Sequence, residues 1–163
     1  DPKKPERKGE LKIPGFSSYL HPIDANHLLG IGREVVENQQ LGVQISLFDV
    51  TDLANPQLAD QVTESSGDYA YSEALNDHHA FAYYPGNGVL ALPITDEASN
   101  WIANLAVYQV SIADGFTLLG HVAHDSDVRR SLQIGEFLYS IAANSVKVGP
   151  IQNPSATVQV VSF

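Results

Sequence analysis

From Glu10 onward the chain is a succession of short alternating or apolar runs, broken by Gly, Asn, Asp and Pro, with no window of helical spacing long enough to support a helix. The chain therefore reads as all-β. Its clearest local signal is a hairpin. His79 to Tyr84 leads into Pro85-Gly86-Asn87-Gly88 and then Val89 to Leu92, and Asn87-Gly88 supplies the positive-φ positions of a tight turn.

The same order of strands can be read three times. First strands are Ser17 to Ile23, His79 to Tyr84 and Val128 to Ile134, and second strands are Leu28 to Gly32, Val89 to Pro93 and Phe137 to Ala142. Third strands are Val43 to Val50, Leu105 to Ile112 and Ser145 to Val148, followed by fourth strands Gln57 to Val62, Phe116 to Val122 and Thr157 to Phe163. Asn55-Pro56 follows the first of those third strands at the same interval as Asn153-Pro154 follows the last, so two repeats share one turn chemistry. Phe48, Tyr108 and Val146 are read as equivalent positions. A repeat of roughly 40 to 60 residues holding four strands is the signature of a β-propeller blade.

This reading predicts three four-stranded antiparallel blades, over about 16–63, 76–123 and 126–163, preceded by one leading strand, Glu10 to Ile13, in the place of a preceding blade's outer strand. Residues 10–163 are then a partial propeller. Propellers close with about four to eight blades, so the remaining blades are expected from another chain, a precursor or a second copy. Residues 1–9 are charged and proline-punctuated without apolar periodicity, which predicts a linker or flexible arm; with no initiator Met, the chain is expected to be cut from something longer.

Composition narrows the chemistry. A net charge of -10 opposes the phosphate neutralisation on which nucleic-acid binding depends. No run reaches the roughly 18 uncharged apolar residues of a membrane-spanning helix, and the absence of cysteine removes disulfides, thiol catalysis, Cys-type zinc sites and iron–sulfur clusters.

Gly120-His121, Ser140, Asn144 and Val146-Lys147-Val148 give the third blade a partial resemblance to a WD40 repeat, with Phe48-Asp49, Tyr108-Gln109 and Val146-Lys147 where that repeat closes its third strand on Trp-Asp. More specific are Ile13 to Pro22, Leu28 to Gly32, Gln44 to Pro56, Asp77 to Phe81 and Val128 to Gly135. With these motifs the chain after Gly9 resembles secreted bacterial and archaeal proteins whose C-terminal β-propeller is distantly related to WD40 repeats. The resemblance implies a secreted or cell-surface location and a propeller completed by upstream sequence; it implies no catalytic residues.

Asp77-His78-His79 is the densest cluster of candidate metal ligands and could hold zinc or copper, making a divalent cation the one cofactor in view. On a strand, however, adjacent side chains point to opposite faces, which predicts that His78 and His79 do not share an ion and that one of them caps the blade entry. His121 and His124, with Asp125 and Asp127, read as repeat and turn residues, as do Asp49 and Asp52, and His21 and His27 read as surface or turn residues. Ser-His-Asp catalysis finds no Gly-x-Ser-x-Gly elbow, and nothing in the sequence sets a serine beside a base.

The long connections Arg33 to Gly42, Thr63 to Asp77 and Thr95 to Ala103 all fall on one face of a propeller, because strands alternate direction, whereas opposite-face connections such as Pro85 to Gly88 are short. Two of the long ones hold an acidic and aromatic set: Glu64, Asp68, Tyr69, Tyr71, Glu73, Asp96, Glu97 and Trp101. The leading expectation is a noncatalytic binding module that recognises a protein, a glycan or a cationic ligand through this face. The alternative is part of an extracellular hydrolase or metal-dependent enzyme with its site in the propeller funnel.

Overall fold

The computed structural model describes residues 3–37, 39–64, 70–96 and 101–163. Among the described residues, twelve strands form three four-stranded antiparallel sheets, each in simple sequential order. Blade 1 is β1 (Phe16–Pro22), β2 (His27–Val36), β3 (Gln39–Asp49) and β4 (Gln57–Glu64). Blade 2 is β5 (Ala82–Tyr84), β6 (Val89–Asp96), β7 (Ile102–Ser111) and β8 (Gly115–His124). Blade 3 is β9 (Val128–Ile134), β10 (Phe137–Ala142), β11 (Ser145–Pro150) and β12 (Gln159–Ser162). The three predicted repeats are three incomplete-propeller blades. No helix among the described residues is long and apolar enough to cross a membrane.

Strand alternation assembles the blades. In β6 and β7, Leu90, Leu92, Ile94, Ala106, Tyr108 and Val110 project to one side and pack with Leu29, Ile31, Val43, Ile45 and Leu47 of blade 1. The intervening Val89, Ala91, Ala103, Leu105 and Val107 project to the other side and pack with Val128, Leu138 and Ala142 of blade 3. Blade 2 is thus buried on both faces, and its runs Val89-Leu-Ala-Leu92 and Leu105-Ala-Val-Tyr108 are apolar at every position for that reason.

The outer faces of the arc differ. Next to blade 1, Leu11 to Ile13 lie against Leu20, Leu28, Phe48 and Pro56 across a groove of about 570 Å³. The expected leading strand, Glu10 to Ile13, forms no ladder: it pairs with no strand among the described residues, and a strand needs a neighbouring edge to pair with. On blade 3, the cross-strand pairs Phe137 with Ile134 and Val146 with Val161 leave Ile134 58%, Phe137 42% and Val161 48% exposed. On the corresponding face of blade 2, Val89, Ala91, Leu105 and Val107 are fully buried.

Local differences have local causes. His79 is not in a strand. Asp77 caps a short 3₁₀ turn, His78–Ala80, through its carboxylate, so the first strand of blade 2 begins only at Ala82. Arg33 to Gly42 is mostly ladder, because β2 and β3 continue pairing to Val36 with Gln39. On the opposite face, the β11–β12 connection runs from Ile151 to Val158 and is no short turn. Phe48 and Tyr108 are true equivalents, each set directly after a bulge opposite the fourth strand. Val146 is not their equivalent: it pairs with Val161 on the outer face, while Lys147 reaches back to the Ala123 carbonyl at 2.7 Å. Gly115 is required twice over. Its φ is +76°, and a Cβ there would lie 1.9 Å from an Asp60 carboxylate oxygen that accepts a hydrogen bond from the Phe116 amide.

Two outcomes follow from this packing. Leu105→Ala, at a fully buried position between blades 2 and 3, should cost roughly 2–5 kcal/mol in chemical denaturation. The uncovered face of blade 3 should drive concentration-dependent association of the 163-residue chain in sedimentation velocity, and the pair Ile134→Lys and Phe137→Lys should suppress it. A wild-type chain that sediments as a monomer at every concentration would contradict that.

Candidate functional site

The loop-bearing end of the blade 2–blade 3 seam carries a two-lobed cleft. One lobe, about 320 Å³, is lined by Tyr71, Glu73, Pro93, Thr95, Trp101, Asp127, Val128 and Arg129. The other, about 440 Å³, is lined by Trp101, Ile102, Ala103, Ala123, His124, Asp125, Ser126, Asp127 and Lys147. Trp101 and Asp127 line both lobes. Trp101 is 56% exposed and sits at φ +60°, a left-handed conformation that a bulky residue adopts only where the surroundings enforce it. Here the β6–β7 hairpin does so, with the Trp101 amide donating to the Asp96 carbonyl at 2.9 Å.

Tyr71 is fixed by a two-bond backbone bridge to Thr95, both bonds 2.8 Å, and its hydroxyl accepts from the Asn76 amide group. The next turn, Glu73–Leu75, is capped by the Ser72 hydroxyl and presents Glu73 to the Arg129 guanidinium at 3.0 Å. Arg129 also reaches Asp127 at 3.4 Å, and the Glu73 contact raises its pKa further. Of the acidic and aromatic set expected on this face, Tyr71, Glu73 and Trp101 therefore meet in one lobe, joined by an arginine that sequence reasoning missed. Asp96 ends β6 at the same rim. Asp68, Tyr69 and Glu97 lie outside the described residues.

Glu64 is a correction. It sits at the blade 1–blade 2 seam with its side chain only 12% exposed, accepting hydrogen bonds from the Tyr108 hydroxyl and from His121 Nε2 at 3.1 Å. Burial pushes its carboxyl up, but the bonds from His121 and Tyr108 outweigh that and hold it below the ordinary value. The same contacts raise His121, and burial with Glu64 raises Tyr108. The group is an interblade tie rather than part of a ligand surface.

Two serines do stand beside a base. His124 Nε2 is 2.8 Å from Ser140 Oγ, and Nδ1 is 3.1 Å from Ser145 Oγ. All three residues are buried, and burial, then Lys147, lowers the His124 pKa, which keeps the ring neutral between two hydroxyls. The arrangement pins blade 3 to β8 and leaves no reachable nucleophile. The remaining turn residues behave as read: Asp49 accepts from the Thr51 amide, Asp52 from Ala54, and Asp24 holds His27 at 2.9 Å. His21 departs from its expected place, packing with Tyr19, Phe81 and Tyr83 between the first strands of blades 1 and 2.

The metal candidates also behave differently from expectation. On the 3₁₀ turn the His78 and His79 rings lie side by side, tilted by 34° with centroids 4.0 Å apart, so the alternation argument does not apply. Asp77, His78 and His79 each offer a ligand atom, all within 4.8 Å of one another. Asp77 is held below its usual pKa by the His79 amide first and the His79 ring second, and its other oxygen is 3.5 Å from Arg130.

The interblade tie makes a pH prediction. The raised His121 pKa contributes stability that is fully present below its usual 6.5 and is lost as pH rises through the folded value. The lowered Glu64 pKa contributes stability present above its usual 4.5 and lost as pH falls through the folded value. The destabilisation caused by Glu64→Gln should therefore be largest between these two pH values and shrink on either side in melts compared with the unmodified chain. A pH-independent difference would show that the tie carries no charge component.

Comparison with known proteins agrees with the architecture. The chain is 36% identical over 148 residues to an uncharacterized protein of Archaeoglobus fulgidus, covering 91% of this chain and 21% of that protein. It is 32% identical over 149 residues to an uncharacterized protein of Methanocaldococcus jannaschii, again 91% of this chain and 21% of the relative. The chain thus spans about a fifth of the length of these archaeal relatives. The family model described as a beta propeller domain matches residues 1–153, and with three sequential four-stranded blades on the page the chain belongs to the beta propeller domain family.

Proposed function

We propose that this chain is a noncatalytic binding module of a secreted or surface-displayed propeller, and that the cleft around Trp101 binds a glycan. The observation that carries the reading is Trp101 itself: an indole held at a strained backbone angle, exposed, and shared by both lobes of a cleft whose other wall carries Tyr71. Sugar rings present apolar C–H faces to aromatic rings and hydroxyls at their edges. The Glu73–Arg129–Asp127 array supplies fixed acceptors and donors for such hydroxyls.

Charge favours a glycan over a simple cation. Arg129 pairs with Glu73 and Asp127 within the cleft and Lys147 lines the second lobe, so two cations offset two of the three carboxylates (Glu73, Asp125 and Asp127) that line the cleft and little of the net charge of -10 is focused there. The uncovered blade faces support completion of the propeller by further blades, from a longer polypeptide, a separate chain or a second copy. The competing enzyme reading draws support from one observation, the Asp77-His78-His79 cluster beside the first strand of blade 2.

The test is an oligosaccharide array probed with the 163-residue chain, followed by titration of the best hit. Trp101→Ala should weaken binding about tenfold or more, which corresponds to about 1.4 kcal/mol, while Trp101→Phe retains part of it. Raising the salt to shorten the Debye length to about 3 Å should leave the stacking contribution in place. Unchanged affinity in Trp101→Ala, together with loss on substitution of Asn87 in the opposite-face turn, would place the ligand elsewhere.

A further inference from the structure

We propose that Asp77, His78 and His79 form a binding site for one divalent transition-metal ion of the zinc and copper class. The site does not depend on the glycan reading, since none of its three residues lines the Trp101 cleft.

The geometry comes from the turn. The Asp77 carboxylate caps the 3₁₀ segment by accepting from the His79 amide at 2.9 Å, which fixes the carboxylate beside the two rings. His79 Nδ1 lies 2.9 Å from the same oxygen. Neighbouring ligands on one tetrahedral ion, at bond lengths of about 2.0–2.2 Å, stand about 3.3–3.6 Å apart, so this pair has to open by only roughly half an ångström to take the ion between them. The widest separation among the three candidate ligand atoms is within 4.8 Å, so a small rotation of His78 brings its nitrogen into the same sphere.

The inventory of histidines gives a second, separate reason. His21 bonds the Tyr19 hydroxyl, His27 bonds Asp24, His121 bonds Glu64 and His124 bonds two serines. Among the described histidines, only the His78 ring makes no hydrogen bond; it contacts the rings of Tyr19 and His79.

The donor set selects the metal. Two imidazole nitrogens and one carboxylate suit zinc, copper or nickel, and they disfavour calcium and magnesium, which take oxygen ligands. The His79 side chain is 60% exposed, so the remaining coordination positions face solvent, as in exchangeable sites with three protein ligands. Arg130 opposes binding electrostatically but holds the second Asp77 oxygen, which orients the carboxylate for the ion.

The experiment is calorimetric titration of Zn²⁺ into the tag-free, chelator-treated chain. It should give one Zn²⁺ per chain, unaffected by millimolar Mg²⁺. His78→Ala and His79→Ala should each weaken binding at least tenfold, and Asp77→Asn, which keeps an acceptor for the turn, should weaken it with the melting temperature retained. His27→Ala should change nothing. Co²⁺ should show visible absorption that His78→Ala abolishes. Absence of Zn²⁺ binding at micromolar concentrations, or unit stoichiometry surviving in a folded His78→Ala/His79→Ala variant, would overturn the proposal.

Discussion

Everything in this arc depends on one sheet being apolar on both faces. Because β6 and β7 alternate, their odd-numbered apolar residues are committed to blade 3 and their even-numbered ones to blade 1, so neither neighbour has a core without blade 2. A sheet in this position has no solvent face on which to place polar side chains. Chemistry is pushed to the strand ends and to the short turns leading into the inner strands, and there Trp101, Glu73 and the Asp77-His78-His79 turn are found.

Polar contacts then set how the blades are angled. At the first seam Glu64 binds Tyr108 and His121, and Asp60 accepts from the Phe116 amide. At the second, His124 is held between Ser140 and Ser145 while Lys147 reaches the Ala123 carbonyl. Each tie joins the outer strands of one blade to the next. Apolar packing between sheets is tolerant of small rotations, but a buried carboxylate or imidazole is costly unless its partner is in place, so such ties select one interblade geometry.

The strand order was legible because its signal is local: period-2 alternation, Asn87-Gly88, and Asn-Pro after a third strand all act within a few residues. The missed features all depend on neighbours. Glu10 to Ile13 alternates like a strand, yet strand formation needs an edge to pair with, and alternation cannot reveal whether one is present. Asp77-His78-His79 was misread because an Asp that caps a turn converts the strand period of two into a tight bend, which places consecutive imidazoles on the same side. Glu64 and Arg129 exchanged places as site residues for a similar reason. Glu64 found an interblade partner 57 residues away in sequence, while Arg129, on the first strand of blade 3, reached Glu73 across the seam. No spacing rule within one segment carries such pairings.

The two seams also explain why one is closed and the other open at the loop-bearing end. At the first, Arg33 donates to the carbonyls of Leu41 and Ala70 and Glu64 accepts from Tyr108 and His121, so these charged groups already have partners from the scaffold. At the second, the His124–serine tie is buried, and Trp101 lines the same lobe as His124 with its backbone in the left-handed region. Retaining a bulky residue at that angle costs on the order of 1–2 kcal/mol, which an exposed indole does not recover by packing within the fold. On the proposed reading, a ligand covering the ring offsets that strain, and the lobes on either side of Trp101 carry the fixed polar groups it would meet.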